Sequence, residues 1–194
     1  MGRVVRSCLF CEEGSVGYNT FFENELFRAR WDGIPAQVGH AEILPKRHVQ
    51  FFHELTANEK EKLLPFVDQV IARIQKADMV YEYERLLEGA HDVTRPYIEK
   101  ALICARDSLA PIAFNHGIND GPIAGQTIPH FHYHIIPRRD GDVDDPRGVY
   151  GGCLRKMRML VQAKDLPRNE HTGRGEGFNL QGRQVSFLTT YSNV

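Results

Sequence analysis

The stretch HFHYHIIPRR, residues 130–139, places a histidine at every second position of a short segment. Such alternation is typical of a β-strand, so His130, His132 and His134 are expected on one face and the apolar residues between them on the other. Neighbours on that face would lie about 6.5–7 Å apart, from a rise of about 3.3 Å per residue. Three imidazoles together are unusual for an ordinary surface, because each titrates near pH ~6.5. The stretch is therefore predicted to bind a metal, to carry out chemistry, or to divide its histidines between both tasks.

The segments on either side of the histidines predict an α+β fold with an antiparallel sheet. Strands are predicted as a hairpin at 17–31 and singly at 40–45 and 111–118. Thr56 and Glu59 form a capping-box pattern at the start of a helix, whose apolar residues then recur at helical spacing. Hairpin strands combined with separate helices are typical of the α+β class.

The chain is predicted to fold as one domain with an insertion and an extension. Its 194 residues, 42% of them hydrophobic, are enough for one substantial core. We assign residues 1–150 to this domain and residues 79–108 to a helical insertion within it. Residues 151–194 are predicted to form a C-terminal extension that packs on the same domain or on a partner subunit.

Composition excludes several classes of function. The formal net charge is −1, with 25% charged residues, so no basic surface is predicted for a nucleic acid polymer. No apolar run approaches the roughly 20 residues of a membrane span. Four cysteines in a chain of this length do not make a disulfide framework, so a reducing cytoplasmic compartment is expected.

A C-x-x-C motif, Cys8 to Cys11, indicates a metal site near the N-terminus. This spacing lets two thiolates bind one Zn²⁺ from a single turn, at about 2.3 Å each. Two more ligands are needed, and histidine is a more economical source than convergence of Cys104 and Cys153. A redox dithiol or two unreactive thiols are the alternatives, although a βαβ context for a thioredoxin-like motif is not visible.

A glycine-rich loop, GPIAGQTIP at 121–129, leads directly into the histidine stretch. Its glycines permit unusual backbone angles, and successive N–H groups in such a turn can form a nest for an anion. Gln126 and Thr127 add side-chain donors. Together with Arg138 and Arg139 beyond the histidines, the loop suggests an anionic group bound over the histidine face. The two arginines are otherwise expected to be solvated.

These blocks together resemble the histidine triad (HIT) superfamily. The resemblance rests on AGQTIPHFHYHIIPRRDGDVDDPRG (124–148), on GHAEILPKRH (39–48), and on Cys8–Cys11, which is similar to the N-terminal zinc knuckle of many members. The pattern is most similar to the dinucleoside-polyphosphate hydrolase branch. The resemblance implies a half-barrel of antiparallel strands with a long packed helix, and a homodimer with a continuous sheet.

The resemblance also implies roles for the polar residues. His132 matches a nucleophile that attacks the α-phosphorus of a nucleotide and forms a nucleotidyl-histidine, from which water releases a nucleoside monophosphate. His134 matches a donor to the α-phosphate, and His40 matches a histidine packed beside the nucleophile. Gln126 and Thr127 match residues that steady the phosphate or the scissile bridge.

Further matches concern the nucleoside and the metal. Asp32 matches the residue that binds the ribose hydroxyls, and Asn115 matches a polar residue of the same pocket. Arg30 stands where the family usually has an apolar residue against the base, which leaves the base preference open. The implied structural zinc site has four ligands: Cys8, Cys11, His48 and His130. The acidic run 140–145 is expected to be a solvated loop, or alternatively to attract Mg²⁺ with the polyphosphate.

The function expected from this resemblance is hydrolysis of a purine dinucleoside polyphosphate, such as diadenosine tri- or tetraphosphate. Alternatives are a nucleoside phosphoramidate hydrolase, a nucleotidyltransferase, and a nucleotide-binding regulatory protein with little activity. Transferase relatives carry glutamine at the third triad position, where this chain has His134. A catalytic zinc centre that uses all three histidines is a further alternative, but the cysteine pair needs only one of them.

Overall fold

A computed structural model describes residues 8–12, 19–111 and 113–142, together with the backbone of two strands nearer the C-terminus. The chain divides into two units, Met1–Leu160 and Val161–Val194. The elements of the first unit are β1 (Thr20–Glu23), β2 (Phe27–Trp31), β3 (Ala41–Pro45), α1 (Ala57–Ile74), α2 (Met79–Gly89), α3 (Arg95–Arg106), β4 (Ala113–Ile118) and β5 (Tyr133–Arg138). The second unit contains an antiparallel pair, β6 (Gly175–Phe178) and β7 (Gln184–Phe187).

The first unit is built on a five-stranded sheet in the order β1-β2-β3-β5-β4. Every neighbouring pair is antiparallel, which confirms the predicted α+β class. Arg30 pairs with Glu42, Glu42 with His134, and His134 with Gly117. Because paired residues point to the same side of a sheet, these four residues form one row across one face. We call this side of the sheet the polar face.

The opposite face of the sheet packs against the helices and forms the main core. Fully buried members of this core are Phe27, Trp31, Ile43, Phe66, Tyr83, Ile98 and Ile135. Helix α1 begins with the predicted capping box, in which Glu59 N donates to Thr56 Oγ1 at 3.2 Å and Thr56 N donates to Glu59 Oε2 at 2.7 Å. No helix within the described residues is long and apolar enough to cross a membrane.

The predicted insertion at 79–108 forms α2 and α3, and it holds the loop between β2 and β3. Gly39 N donates to the hydroxyl of Tyr83 on α2 at 2.9 Å, and the indole N–H of Trp31 donates to Glu82 at 3.0 Å. Gly39 has a φ of 83°, and a Cβ there would meet Pro137 Cγ at 3.3 Å. Glycine therefore satisfies both the backbone angle and the close approach of β5.

The strand predicted from the histidine alternation begins later than expected. Strand β5 starts at Tyr133, so His130 and His132 precede it in the chain. The N–H of Phe131 donates to the carbonyl of Val49 at 2.6 Å, outside the ladder of the sheet. Apart from the backbone of β6 and β7, the predicted extension at 151–194 lies outside the described residues. Its packing and the domain boundary at 150 stay predictions.

Candidate functional site

The three alternating histidines divide between two clusters. His130 lies with Cys8, Cys11 and His48, whereas His134 lies with His40 and Asp32. The ring of His132 is 4.7 Å from that of His134, measured between centroids. All three histidines of the stretch are buried.

The first cluster has the dimensions of a zinc site. Cys8 Sγ lies 3.6 Å and Cys11 Sγ 3.5 Å from His130 Nδ1, and Cys11 Sγ lies 3.2 Å from His48 Nδ1. A tetrahedral Zn²⁺ with bonds of about 2.3 Å to sulfur and about 2.1 Å to nitrogen separates such ligand atoms by about 3.6 Å. All four ligand atoms lie within 4.8 Å of one another, so the four residues could hold one metal ion.

The protonation states of the side chains in this cluster also bear on whether it can bind a cation. His130 Nε2 lies 2.9 Å from the carbonyl of Pro45 and donates to it, so Nδ1 faces the cysteines as a lone pair. Burial lowers the pKa of His130 to about 4, which keeps the ring neutral. Burial and the neighbouring Cys8 raise the pKa of Cys11 to about 11. A bound cation would offset that shift, because zinc binds the thiolate form.

His132 is held in one tautomer by the backbone. Its Nδ1 donates to the carbonyl of His130 at 2.7 Å, which leaves the lone pair on Nε2. Burial lowers the pKa of His132, so the ring stays neutral near pH 7. The ring of Phe10 packs edge-on against it at 5.5 Å between centroids. A fixed, neutral imidazole with a lone pair on Nε2 is a competent nucleophile.

A hydrogen-bonded chain connects the loop after β2 to His134. Ala36 N donates to His40 Nδ1 at 3.1 Å, and His40 Nε2 lies 3.1 Å from His134 Nδ1. Burial lowers the pKa of both histidines, that of His134 to about 3. Asp32 Oδ2 lies 3.1 Å from His40 Nδ1, and Asp32 Oδ1 accepts from Ile34 N at 2.8 Å.

The protonation state of Asp32 follows from this neighbourhood. Burial acts to raise the pKa of its carboxyl group, but His40 and the N–H of Ile34 more than offset burial. The result is a pKa below the usual range. Asp32 is therefore a carboxylate at neutral pH, at the end of β2 and beside the chain of histidines.

Sequence reasoning did not identify Glu42 as a residue of this site. Its carboxyl group lies 3.9 Å from His134 Nδ1 and 3.8 Å from Arg30 Nε. Burial and Asp32 raise the pKa of Glu42 to about 8, whereas Arg30 opposes the shift. The signal was a single acidic residue in the otherwise apolar strand AEILP, which is buried along its whole length.

Gln126, Thr127 and Asn115 occupy different positions around the histidines. Gln126 Nε2 donates to the carbonyl of Gln50 at 2.8 Å and to that of His130 at 3.4 Å. Its Oε1 is buried and has no hydrogen-bond partner among the described residues. Thr127 is exposed. Asn115 lies on the polar face, since it is two residues before Gly117 on β4.

Asn115 makes no hydrogen bond to the histidines within the described part of the chain. Its Oδ1 is buried and lacks a partner there, as Gln126 Oε1 does. The structure thus brings His40, His132 and His134 together, and among the described residues Asn115 and Thr127 make no hydrogen bond to them.

The expectation of solvated side chains is wrong for Arg138, whereas Arg139 is half-buried. Arg138 is buried and pairs with Asp142 at 2.9 Å. The guanidinium of Arg139 donates to the carbonyls of Leu109 and Val38, at 2.6 and 3.0 Å. Both side chains are used to fix the end of β5.

The suggested Mg²⁺ site in the acidic run 140–145 is not supported at Asp142. This carboxylate is bonded to Arg138 and to the backbone N–H of Arg139. Residues 143–145 lie outside the described part of the chain.

Comparison with known proteins identifies a family. A model of the HIT domain matches residues 14–141. The chain is 28% identical to an Arabidopsis thaliana protein named bifunctional bis(5'-adenosyl)-triphosphatase/adenylylsulfatase FHIT, over 77% of this chain and 66% of that one. It thus spans just under two thirds of that relative.

Two further proteins, one relative and one solved structure, are similar to this chain. A Schizosaccharomyces pombe protein named adenosine 5'-monophosphoramidase hnt1 is 28% identical, over 68% of this chain and 74% of that one. A crystal structure of a Streptococcus mutans protein superposes with a TM-score of 0.52 at 26% identity, covering 77% of this chain and 76% of that one.

Proposed function

The chain belongs to the HIT domain family, and on that premise we propose that it is a hydrolase that cleaves nucleotides at the α-phosphate through a nucleotidyl-histidine. The proposed substrates are purine dinucleoside polyphosphates, such as diadenosine tri- or tetraphosphate. The similarity to a protein named as a bis(5'-adenosyl)-triphosphatase supports this class.

The observation that carries the proposal is the fixed tautomer of His132. Its Nδ1–H is bonded to the carbonyl of His130, so the Nε2 lone pair is the free nucleophile. In the proposed reaction, Nε2 bonds to the α-phosphorus as the bond from phosphorus to the leaving group breaks. The His130 carbonyl stabilises the charge that develops on the ring. Water then attacks phosphorus, releases the nucleoside monophosphate and restores neutral His132.

The hydrogen bonds that connect Ala36, His40 and His134 support a role for His134 as a donor to the phosphate. His40 Nδ1 lies 3.1 Å from both the Ala36 N–H and the Asp32 carboxylate. In the tautomer that accepts from Ala36, the proton of a neutral His40 lies on Nε2 and points at His134 Nδ1. The proton of His134 then lies on its own Nε2, in the tautomer that donates to an anion. We further propose that Asp32 accepts the ribose hydroxyls, and that Gln126, Thr127 and Asn115 contact the phosphates or the leaving group.

We also propose that Cys8, Cys11, His48 and His130 hold a structural Zn²⁺. The ligand separations of 3.2–3.6 Å support it, as does the N–H of His130 bonded to Pro45. Such a site would fasten the N-terminal turn beside the histidines. The predicted homodimer and cytoplasmic location stay proposals, and light scattering of the purified chain tests the first.

A second candidate is a nucleoside phosphoramidate hydrolase, which the similarity to a protein named adenosine 5'-monophosphoramidase favours. It would use the same intermediate and differ only in the leaving group. Diadenosine triphosphate, diadenosine tetraphosphate and adenosine 5'-phosphoramidate should therefore be offered in parallel to the wild type and to His132→Asn. Exposed His53→Asn is the matched control.

We expect release of AMP by the wild type and by His53→Asn, and a loss of about 10³-fold or more in His132→Asn. The preferred substrate then decides between the two leaving groups. AMP release that survives in His132→Asn would refute the covalent mechanism, and a wild type that binds AMP without turnover would favour a binding protein.

A further inference from the structure

Arg30 and Glu42 form a buried acid–base pair, and neither side chain makes a hydrogen bond within the described residues. Their side chains are 8% and 7% exposed, and Arg30 Nε lies 3.8 Å from Glu42 Oε2, beyond hydrogen-bond distance. Within the described residues Arg30 Nε is buried without a hydrogen-bond partner. In the described part of the chain, the carboxyl group of Glu42 has two contacts with basic side chains, both of 3.8 Å or more. Buried charges are costly unless hydrogen bonds satisfy them, so this pair is incomplete as it stands.

The pair lies beside the proposed binding positions for phosphate and ribose. Glu42 is between Arg30 and His134 in one row of the polar face, and Arg30 is two residues before Asp32 on the chain. The Arg30 guanidinium lies 4.7 Å from the centre of the Phe10 ring, which in turn packs on His132. A nucleotide held through its α-phosphate and ribose at these positions would have its base close to Arg30 and Glu42.

We propose that Arg30 and Glu42 bind the edge of the nucleobase and select guanine over adenine. The Glu42 carboxylate would accept from N1–H and the exocyclic N2 of guanine, and Arg30 would donate to O6. Guanine is the common base with two adjacent N–H donors next to an acceptor on one edge. Adenine would instead turn the lone pair of N1 toward the carboxylate. The inference rests on the proposed function only for the placement of the nucleotide.

The environment of Glu42 supports a ligand that donates hydrogen bonds. Burial and Asp32 raise the pKa of Glu42 to about 8 and Arg30 opposes that shift, so without a ligand Glu42 is mostly protonated at pH 7. Two N–H donors from a ligand would stabilise the carboxylate, since hydrogen bonds to a charged form favour it. Arg30 and Glu42 would then each make hydrogen bonds to the base.

The test compares GMP and AMP binding to the full-length, zinc-loaded protein by calorimetry at pH ~8.5, where Glu42 is mostly a carboxylate before the ligand binds. We expect GMP to bind the wild type about 10- to 100-fold more tightly, which is the usual contribution of a good bidentate base contact. Glu42→Gln keeps the size of the side chain but replaces one acceptor with a donor. It should abolish the preference for GMP and favour AMP, because an amide pairs with one donor and one acceptor. Glu61→Gln, an exposed glutamate at 73%, is the matched control.

Equal affinity of the wild type for GMP and AMP, or binding of neither, would overturn the inference. So would an equal loss of both affinities in Glu42→Gln, because that result indicates a merely structural pair. Hydrolysis of guanosine and adenosine 5'-phosphoramidates separates this inference from the proposed function. Hydrolysis without a base preference refutes the guanine selection alone, whereas selective GMP binding without hydrolysis of any substrate refutes the hydrolase alone.

Discussion

The side chains of His40 and His134 share a hydrogen bond of 3.1 Å between Nε2 of the first and Nδ1 of the second. When the other nitrogen of His40 accepts the N–H of Ala36 rather than donating to the Asp32 carboxylate, this bond places the proton of His134 on its Nε2. His40 thus acts on the proposed phosphate position through His134, and the loop after β2 controls a ring on β5.

Replacement of His40 by Asn should lower kcat/KM about 10²-fold, because His134 loses the donor that sets its tautomer and position. The pH profile should change as well, since the proton on His134 Nε2 is no longer fixed by a neighbour. Steady-state kinetics between pH 5 and 9 on wild type and variant measure both effects. An unchanged profile with only a raised KM would indicate that His40 merely shapes the pocket.

The lowered pKa of His134 predicts loss of stability in acid. Its folded pKa of about 3 lies below the ordinary value of 6.5, so between these limits the unfolded chain binds a proton that the folded chain does not. The free energy of unfolding therefore falls as pH drops below 6.5, by about 2 kcal/mol at pH ~5 from this residue. Denaturation at pH 7.5 and pH 5 should show a smaller difference in His134→Gln. The same difference in wild type and variant would contradict the assignment.

Removal of one cysteine ligand should remove the proposed zinc. Cys8→Ser is expected to carry far less than the roughly one zinc per chain of the wild type, and to melt at lower temperature, because metal binding and folding are coupled. Cys104→Ser, at a half-buried cysteine outside the cluster, is the control and should keep its zinc. Elemental analysis with thermal melting measures both quantities. A wild type expressed with zinc that contains none would count against the site.

Tyr83→Phe should destabilise the protein by about 1–3 kcal/mol, because it leaves the buried N–H of Gly39 without an acceptor. It should also reduce activity, since Gly39 directly precedes His40. Tyr81→Phe, at an exposed tyrosine of the same helix, is the control for loss of a hydroxyl. Chemical denaturation and kinetics on both variants test this. Equal stability of Tyr83→Phe and Tyr81→Phe would show that the insertion does not hold the loop.

Local patterns predicted much of the fold. The hairpin of β1 and β2, the capping box of α1 and strand β3 were confirmed, because each is determined by neighbours in the chain. The C-x-x-C motif and the resemblance also indicated the cysteine–histidine cluster.

Contacts between distant segments could not be predicted. The row that joins Arg30, Glu42 and His134 depends on the register of β2, β3 and β5, and a shift of one residue would turn these side chains to the other face. The late start of β5 depends on the carbonyl of Val49, which takes the N–H of Phe131. Likewise, the apolar pattern of α2 predicts only burial of Tyr83 and does not reveal that its hydroxyl binds the loop at Gly39.

The contacts of α2 with Trp31 and Gly39 have an evolutionary consequence. Deletion of the insertion would remove two hydrogen-bond acceptors at once, that of the Trp31 indole N–H and that of the Gly39 backbone N–H. These two donors lie at the two ends of the loop between β2 and β3, next to Asp32 and His40. A descendant could shorten this segment only after other groups had replaced both acceptors. Loss of helix α2 would therefore be costly unless compensating substitutions came first.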